Sequence, residues 1–244
     1  MIDLNCDMGE GCDNDVALLD HVSSANIACG FHAGGPGTMQ AIVGAAAARG
    51  VAIGAHPSLW DREGFGRREL AVTPQEVHAL AVYQIGAIQA FAHAAGARLH
   101  HVKAHGALYN MAARDAGLAA AIARAVHEVD PNLKLYALSG SRMVEAGRAA
   151  GLQVVCEVFA DRSYQDDGSL TPRSQPRAMI TDADQAIAQV LRMVREGQVR
   201  ALSGADVAIE AGTVCLHGDQ PNALEFAVSL RAALARDGIA VSRP

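Results

Sequence analysis

The chain has 244 residues, half of them hydrophobic, 19% charged and 4% aromatic, with a formal net charge of −6 at pH 7. That length can bury one large core without disulfide or metal staples. The acidic balance, with Lys103 and Lys134 the only lysines, argues against a nucleic-acid or anionic-membrane surface. Taken in chain order, short apolar runs predict strands at 2–6, 25–29, 51–55, 99–103, 133–138, 154–159 and 214–216. Helical patterns lie between them near 15–21, 37–49, 74–95, 114–129, 141–150, 182–196 and 221–236. Such β–α alternation predicts an α/β fold with a parallel sheet, closed as a barrel or doubly wound. No linker or composition shift divides the chain, so 1–244 reads as one domain.

Local chemistry supports several boundaries. Thr73-Pro74-Gln75-Glu76 has the form of a capping box with proline at the first helical position. Thr181-Asp182-Ala183-Asp184 offers a hydroxyl cap followed by acidic residues in the first turn. Gly50, Gly96 and Gly151 stand where helices should end. The apolar stretch 79–97 carries Gln84, Gln89 and His93 and reads as a buried helix rather than a membrane span. The five cysteines, Cys6, Cys12, Cys29, Cys156 and Cys215, form no C-x-x-C pair and suit a reducing compartment, four of them as buried strand residues. The first residues have neither a basic nor an apolar leader region, and the expected location is cytoplasmic.

Polar clusters follow nearly every strand. They are Asn5 to Glu10, Cys29 to Gly35, Gly54 to Pro57, His101 to Gly106, Glu157 to Arg162, and Leu216 to Asp219. In parallel α/β architectures the carboxyl ends of the strands converge on one face, where ligands bind. Asp7, His32, His56, His105, Glu157, Asp161, His217 and Asp219 are thereby expected on that face, although Asp7 and Asp219 also suit helix caps. In an extended segment His101, Lys103 and His105 alternate onto one side. If that side faces a barrel interior, the Lys103 ammonium needs a counter-ion, for which Glu157 and Asp7 are suited. No G-x-x-x-x-G-K-[ST] loop, strand-borne G-x-G-x-x-G or G-x-S-x-G elbow is present. The clustered groups favour hydrolysis or general acid–base work, with or without a divalent metal. Asp7, His32, His56, His105 and His217 offer metal-type ligands, with Asp7, His32 and His56 the candidates.

At these clusters the sequence closely resembles the LamB/YcsF family. The matching stretches are Asp3 to Glu10, Ser24 to Gly34, Gly54 to Pro57, Gly64 to Arg68, Val102 to Asn110, Glu157 to Arg162 and His217-Gly218-Asp219, in the family's order. The family usually has proline where Ala104 stands, and Ser58-Leu59-Trp60-Asp61 replaces a glycine-bearing loop. The resemblance implies a distorted (β/α) barrel of about seven parallel strands, similar to glycoside hydrolase/deacetylase barrels. It further implies ATP-dependent opening of 5-oxo-L-proline to L-glutamate with partner subunits B and C, the ATP step involving those partners. On that footing Asp7 or Glu157 serves as base toward water, and Lys103 and His105 stabilise developing negative charge. Asn5, His32, His56, Asp161, His217 and Asp219 position substrate, and Arg162 or Arg67 holds the substrate carboxylate. The alternative is a stand-alone metal-dependent deacetylase or amidohydrolase acting on a sugar or small amide. A non-catalytic binding subunit is the further rival.

Overall fold

The computed structural model describes residues 1–218 and 222–244. In chain order its elements are β1 (Asp3–Met8), α1 (Asp15–Leu18), β2 (Ser24–Ala28), α2 (Pro36–Arg49), β3 (Ala52–His56), α3 (Pro74–Ala94), β4 (Leu99–Lys103), α4 (Gly106–Arg114), α5 (Ala116–Val129), β5 (Lys134–Leu138), α6 (Arg142–Ala149), β6 (Gln153–Phe159), α7 (Ala183–Glu196), β7 (Gln198–Arg200), β8 (Asp206–Ala208), β9 (Thr213–His217) and α8 (Ala223–Arg236). Seven parallel strands close into a barrel in the order β1-β2-β3-β4-β5-β6-β9. Closure is made by β9, where Thr213 pairs with Asp3 of β1 on one side and with Glu157 of β6 on the other.

Alternation along each strand divides the barrel chemically. Leu4, Cys6 and Met8 of β1 are buried in the hydrophobic core, whereas Asp3, Asn5 and Asp7 alternate with them and bond across the interior. Branched apolar residues usually fill such interiors, but here a polar network does. Asp3 accepts hydrogen bonds from Ser23 (2.6 Å), Ser24 (2.8 Å) and Thr213 (2.7 Å). One layer higher, Asn5 Nδ2 donates to Thr213 Oγ1 at 2.8 Å and to Glu157 Oε1 at 3.0 Å. Asn26 Nδ2 donates to Asn5 Oδ1 at 2.7 Å, and His101 Nε2 donates to Asn26 Oδ1 at 2.7 Å. Gly54 makes room for that imidazole, since a Cβ there would lie 2.1 Å from His101 Nε2. Partnered in this way, buried polar groups specify one arrangement of the strands.

The predicted strands correspond to the seven of the barrel. The capping box at Thr73 forms, with both reciprocal bonds present. Gln84, midway along α3, is buried and grips the backbone N–H and carbonyl of Ser58, each at 2.9 Å. The α7 cap differs from expectation: Asp182, not Thr181, accepts the bond from Gln185 N–H. Two further features have no counterpart among the predicted elements, α4 and the antiparallel ribbon of β7 and β8. Among the described residues no helix is long and apolar enough to cross a membrane.

Candidate active site

The carboxyl ends of the strands open into a cleft of about 830 Å³, lined among others by Asp7, Glu10, His56, Lys103, His105 and His217. Lys103, at the end of β4, points inward with 2% exposure. Its Nζ lies 2.9 Å from Asp7 Oδ1 and 2.7 Å from Glu157 Oε1, so both expected counter-ions are in place. Asn5 Oδ1 and Cys215 Sγ, each at 3.1 Å, complete its surroundings. Burial alone would push the ammonium's pKa down, but Asp7, Cys215 and Glu157 outweigh it and hold the group well above the ordinary lysine value.

The two carboxylates differ in what remains free. Glu157 is fully buried, and its second oxygen accepts from Tyr109 Oη at 2.7 Å. Asp7 Oδ1 accepts from Asn26 and Lys103, while Oδ2 faces His56 Nε2 at 3.3 Å beside the cleft. Burial raises the Asp7 pKa, but His56 and Lys103 oppose it and keep the carboxyl well below its usual range. Asp7 therefore stands ionised with one oxygen available to a water in the cleft.

Three imidazoles surround Glu10. His32 Nε2 donates to Glu10 Oε1 at 2.8 Å, and His105 Nδ1 lies 3.2 Å from the same oxygen. His56 Nε2 lies 3.7 Å from it and 3.0 Å from His105 Nδ1. The outer nitrogens of two rings are fixed by backbone: His56 Nδ1 donates to Lys103 O at 2.7 Å, and His105 Nε2 to Phe65 O at 2.9 Å. Phe65 presents that carbonyl from a left-handed conformation, φ 56°, which a bulky residue rarely adopts. Gly66 beside it packs so closely that an added Cβ would sit 2.9 Å from both the His105 ring and His32 Cβ. Burial pushes the His32 pKa down to about 4 against the pull of Glu10. It likewise lowers His105. His56 is raised, because Asp7 and Glu10 together overcome its burial.

The far wall belongs to the segment after β6. His217 Nδ1 pairs with Asp161 Oδ2 at 2.8 Å. The buried Arg162 guanidinium donates to Thr171 O at 2.6 Å and lines the cleft. Burial and the nearby Arg173 bring its pKa down to about 10. Arg67, on the opposite rim, lies over the Phe65 ring at 4.9 Å. The structure thus gathers Asn5, Asp7, Lys103 and Glu157 in one group, His32, His56 and His105 in a second, and Asp161, Arg162 and His217 in a third. Asp219 lies outside the described residues. Glu10 and Tyr109 join the site without having been expected there, although both lie within stretches that follow strands. Glu10 follows a turn at Gly9 (φ 75°) that folds it back over the mouth. Tyr109 reaches Glu157 from α4, an element the sequence did not reveal.

A closed parallel barrel with carboxylates, imidazoles and a buried ammonium at its carboxyl mouth defines a (β/α)-barrel protein with an enzyme-type site. The LamB/YcsF family model matches residues 2–244, and the chain belongs to that family. It is 63% identical over 245 residues to a protein of Bordetella pertussis (strain Tohama I) named as the A subunit of 5-oxoprolinase, covering 98% of this chain and 97% of the relative. Its structure matches that of a lactam utilization protein from Thermus thermophilus with a TM-score of 0.92 and 50% identity, over 99% and 98% of the two chains. A T48 deacetylase solved with substrate shares the fold alone, at 14% identity and a TM-score of 0.50, over 98% and 86% of the chains.

Proposed function

We propose that this chain is the A subunit of an ATP-dependent 5-oxoprolinase, acting with B and C subunits to convert 5-oxo-L-proline to L-glutamate. The observation that carries the reading is the 63% identity over nearly full length to a protein of that name, together with an ionised carboxylate at the cleft. A five-membered lactam is an unstrained amide, so coupling to ATP drives its opening. The chain has no phosphate loop of the Walker type, which supports a reading in which the ATP step involves the partners and this barrel completes ring hydrolysis.

In that reaction ATP is consumed to ADP and phosphate in activating the lactam, water adds to the ring carbonyl carbon, the C–N bond breaks, and the nitrogen leaves as an amine carrying the proton taken from that water. Asp7 takes the proton from water through Oδ2, a role Glu157 is less suited to because both its oxygens are bonded and buried. Lys103 keeps Asp7 ionised and supplies positive charge beneath the carbonyl-derived oxygen. Glu157, Tyr109 and Asn5 fix the position of Lys103. Arg67 and Arg162 face the cleft and suit the substrate carboxylate, while the His217–Asp161 pair shapes the wall between them.

The test is glutamate release from 5-oxo-L-proline by the chain alone and with its partner subunits, with and without ATP. Release confined to the complete mixture with ATP is the expected result, and Asp7→Asn should abolish it. ATP-independent amide hydrolysis by the chain alone would instead establish the stand-alone hydrolase.

A further inference from the structure

We propose that Glu10, His56 and His105 form a three-ligand site for one divalent transition-metal ion, with an open position facing the cleft beside Asp7. The inference goes beyond the reaction proposed above and does not depend on it.

Lys103 O and Phe65 O can only accept, so the ring nitrogens facing them, His56 Nδ1 and His105 Nε2, each carry a hydrogen. In neutral rings the inner nitrogens, His56 Nε2 and His105 Nδ1, are then bare lone pairs. They face each other at 3.0 Å, and each also faces carboxylate oxygen: Asp7 at 3.3 Å from the first, Glu10 at 3.2 Å from the second. With both rings neutral, four electron-rich atoms converge with no donor among them, and a cation, whether a proton on His56 Nε2 or a metal ion, resolves that arrangement.

The dimensions suit a metal. Ligand atoms at 2.0–2.1 Å in a tetrahedral zinc site lie about 3.3 Å apart. The triangle of Glu10 Oε1, His56 Nε2 and His105 Nδ1 has edges of 3.0, 3.2 and 3.7 Å. Two imidazoles and a carboxylate are a first-row divalent ligand set, and three protein ligands leave a fourth position for water. The outer hydrogen bonds to backbone carbonyls are the kind that orient metal-bound imidazoles.

His32 falls outside the set for a geometric reason. Its ring stacks on that of His105 with centroids 3.7 Å apart and planes 6° from parallel. In-plane lone pairs of parallel rings do not converge on one ion. Its Nε2–H instead donates to the same Glu10 oxygen, at 2.8 Å, and orients it. A second convergence, Asp7 with Cys215 and His217, already has a cation, since Lys103 Nζ lies 2.9 Å from Asp7 and 3.1 Å from Cys215.

The test uses the full chain without partners or ATP, so its outcome is separable from that of the oxoprolinase assay. Chelator-stripped protein is titrated with Zn2+ and, separately, with Co2+, reading metal content after gel filtration and the visible Co2+ absorption. One ion per chain with a tetrahedral-type Co2+ spectrum is expected. His56→Asn and His105→Asn, checked for folding by circular dichroism, should weaken uptake at least 100-fold. His32→Gln should keep the stoichiometry and lose about 10- to 100-fold in affinity. Failure of the wild-type chain to take up stoichiometric metal would overturn the proposal, as would folded His56→Asn protein that binds normally. Loss in His32→Gln as complete as in His56→Asn would overturn the three-ligand assignment.

Discussion

Lys103 shows how one side chain sets the state of its neighbours. Its ammonium pairs with both Asp7 and Glu157 inside a closed barrel, where an unpaired buried charge is strongly disfavoured. Removing one partner from a buried ionic group costs roughly 3–5 kcal/mol, and Lys103→Met should lose about that much by urea unfolding at pH 7. The deficit should shrink at lower pH, where Asp7, no longer held down by Lys103, takes up a proton in the variant. Adding Asp7→Asn to Lys103→Met should cost less than the sum of the single changes, since the lysine and Asp7 are in contact. Asp161 gives a separate pH dependence. Burial raises its pKa, but His217 and the arginines Arg173 and Arg162 outweigh that and hold it below its ordinary value. Its ionised form therefore stabilises the native state above the unfolded carboxyl value near pH 4, and the contribution disappears as pH falls through the lower folded value. Asp161→Asn should melt lower than wild type at pH 7 and lose less on acidification below about pH 4, as followed by thermal midpoints across pH.

At the scale of elements, glycines decide which segments approach. Gly54 of β3 admits the His101 imidazole into the interior, and Gly54→Ala should destabilise the protein by about 1–3 kcal/mol through overpacking, measured by denaturant unfolding. Gly106 at the start of α4 (φ 54°) abuts the 64–68 loop, where an added Cβ would lie 2.5 Å from Gly66 O. Ala107 N–H donates to that same oxygen at 2.8 Å. Gly106→Ala should release the loop, and with it the Phe65 carbonyl that orients His105. We expect glutamate release by the assembled enzyme to fall at least tenfold, with a smaller loss of stability than Gly54→Ala shows. The barrel strands were legible because short apolar runs, most of them leading into a polar cluster, mark them. α4 was not, because it follows β4 almost directly, has no side-chain cap at His105, and is parted from α5 by Asp115 alone. β7 and β8 are three residues each, too short for a period to show. The strand-end polar residues were readable as a group for the same reason the strands were. What stayed hidden was how they partition: Glu10 as the centre of three imidazoles depends on where a turn sends the chain, and spacing does not encode that.

Across the whole molecule, the sole tryptophan sits on the rim rather than in the core. Trp60 is 75% exposed and leans on Phe31, with ring centroids 4.8 Å apart. The fluorescence maximum of the native chain should therefore already lie near that of the unfolded one, and emission wavelength should shift little on denaturation while far-ultraviolet circular dichroism changes fully. A spectrum strongly blue-shifted in the native chain would contradict that placement.

The closure of the barrel by β9 has a consequence for how the protein is made. Thr213 bonds to Asp3 across almost the entire chain, and the strand that carries it fills the gap between β1 and β6, pairing with both. During synthesis the first six strands emerge with two unpaired edges and a polar interior lacking its final wall. Such edges are templates for wrong pairing, and contacts between distant parts of a chain form slowly. The nascent protein must therefore wait, exposed, until β9 has left the ribosome, and its yield in the cell depends on what shields it during that wait.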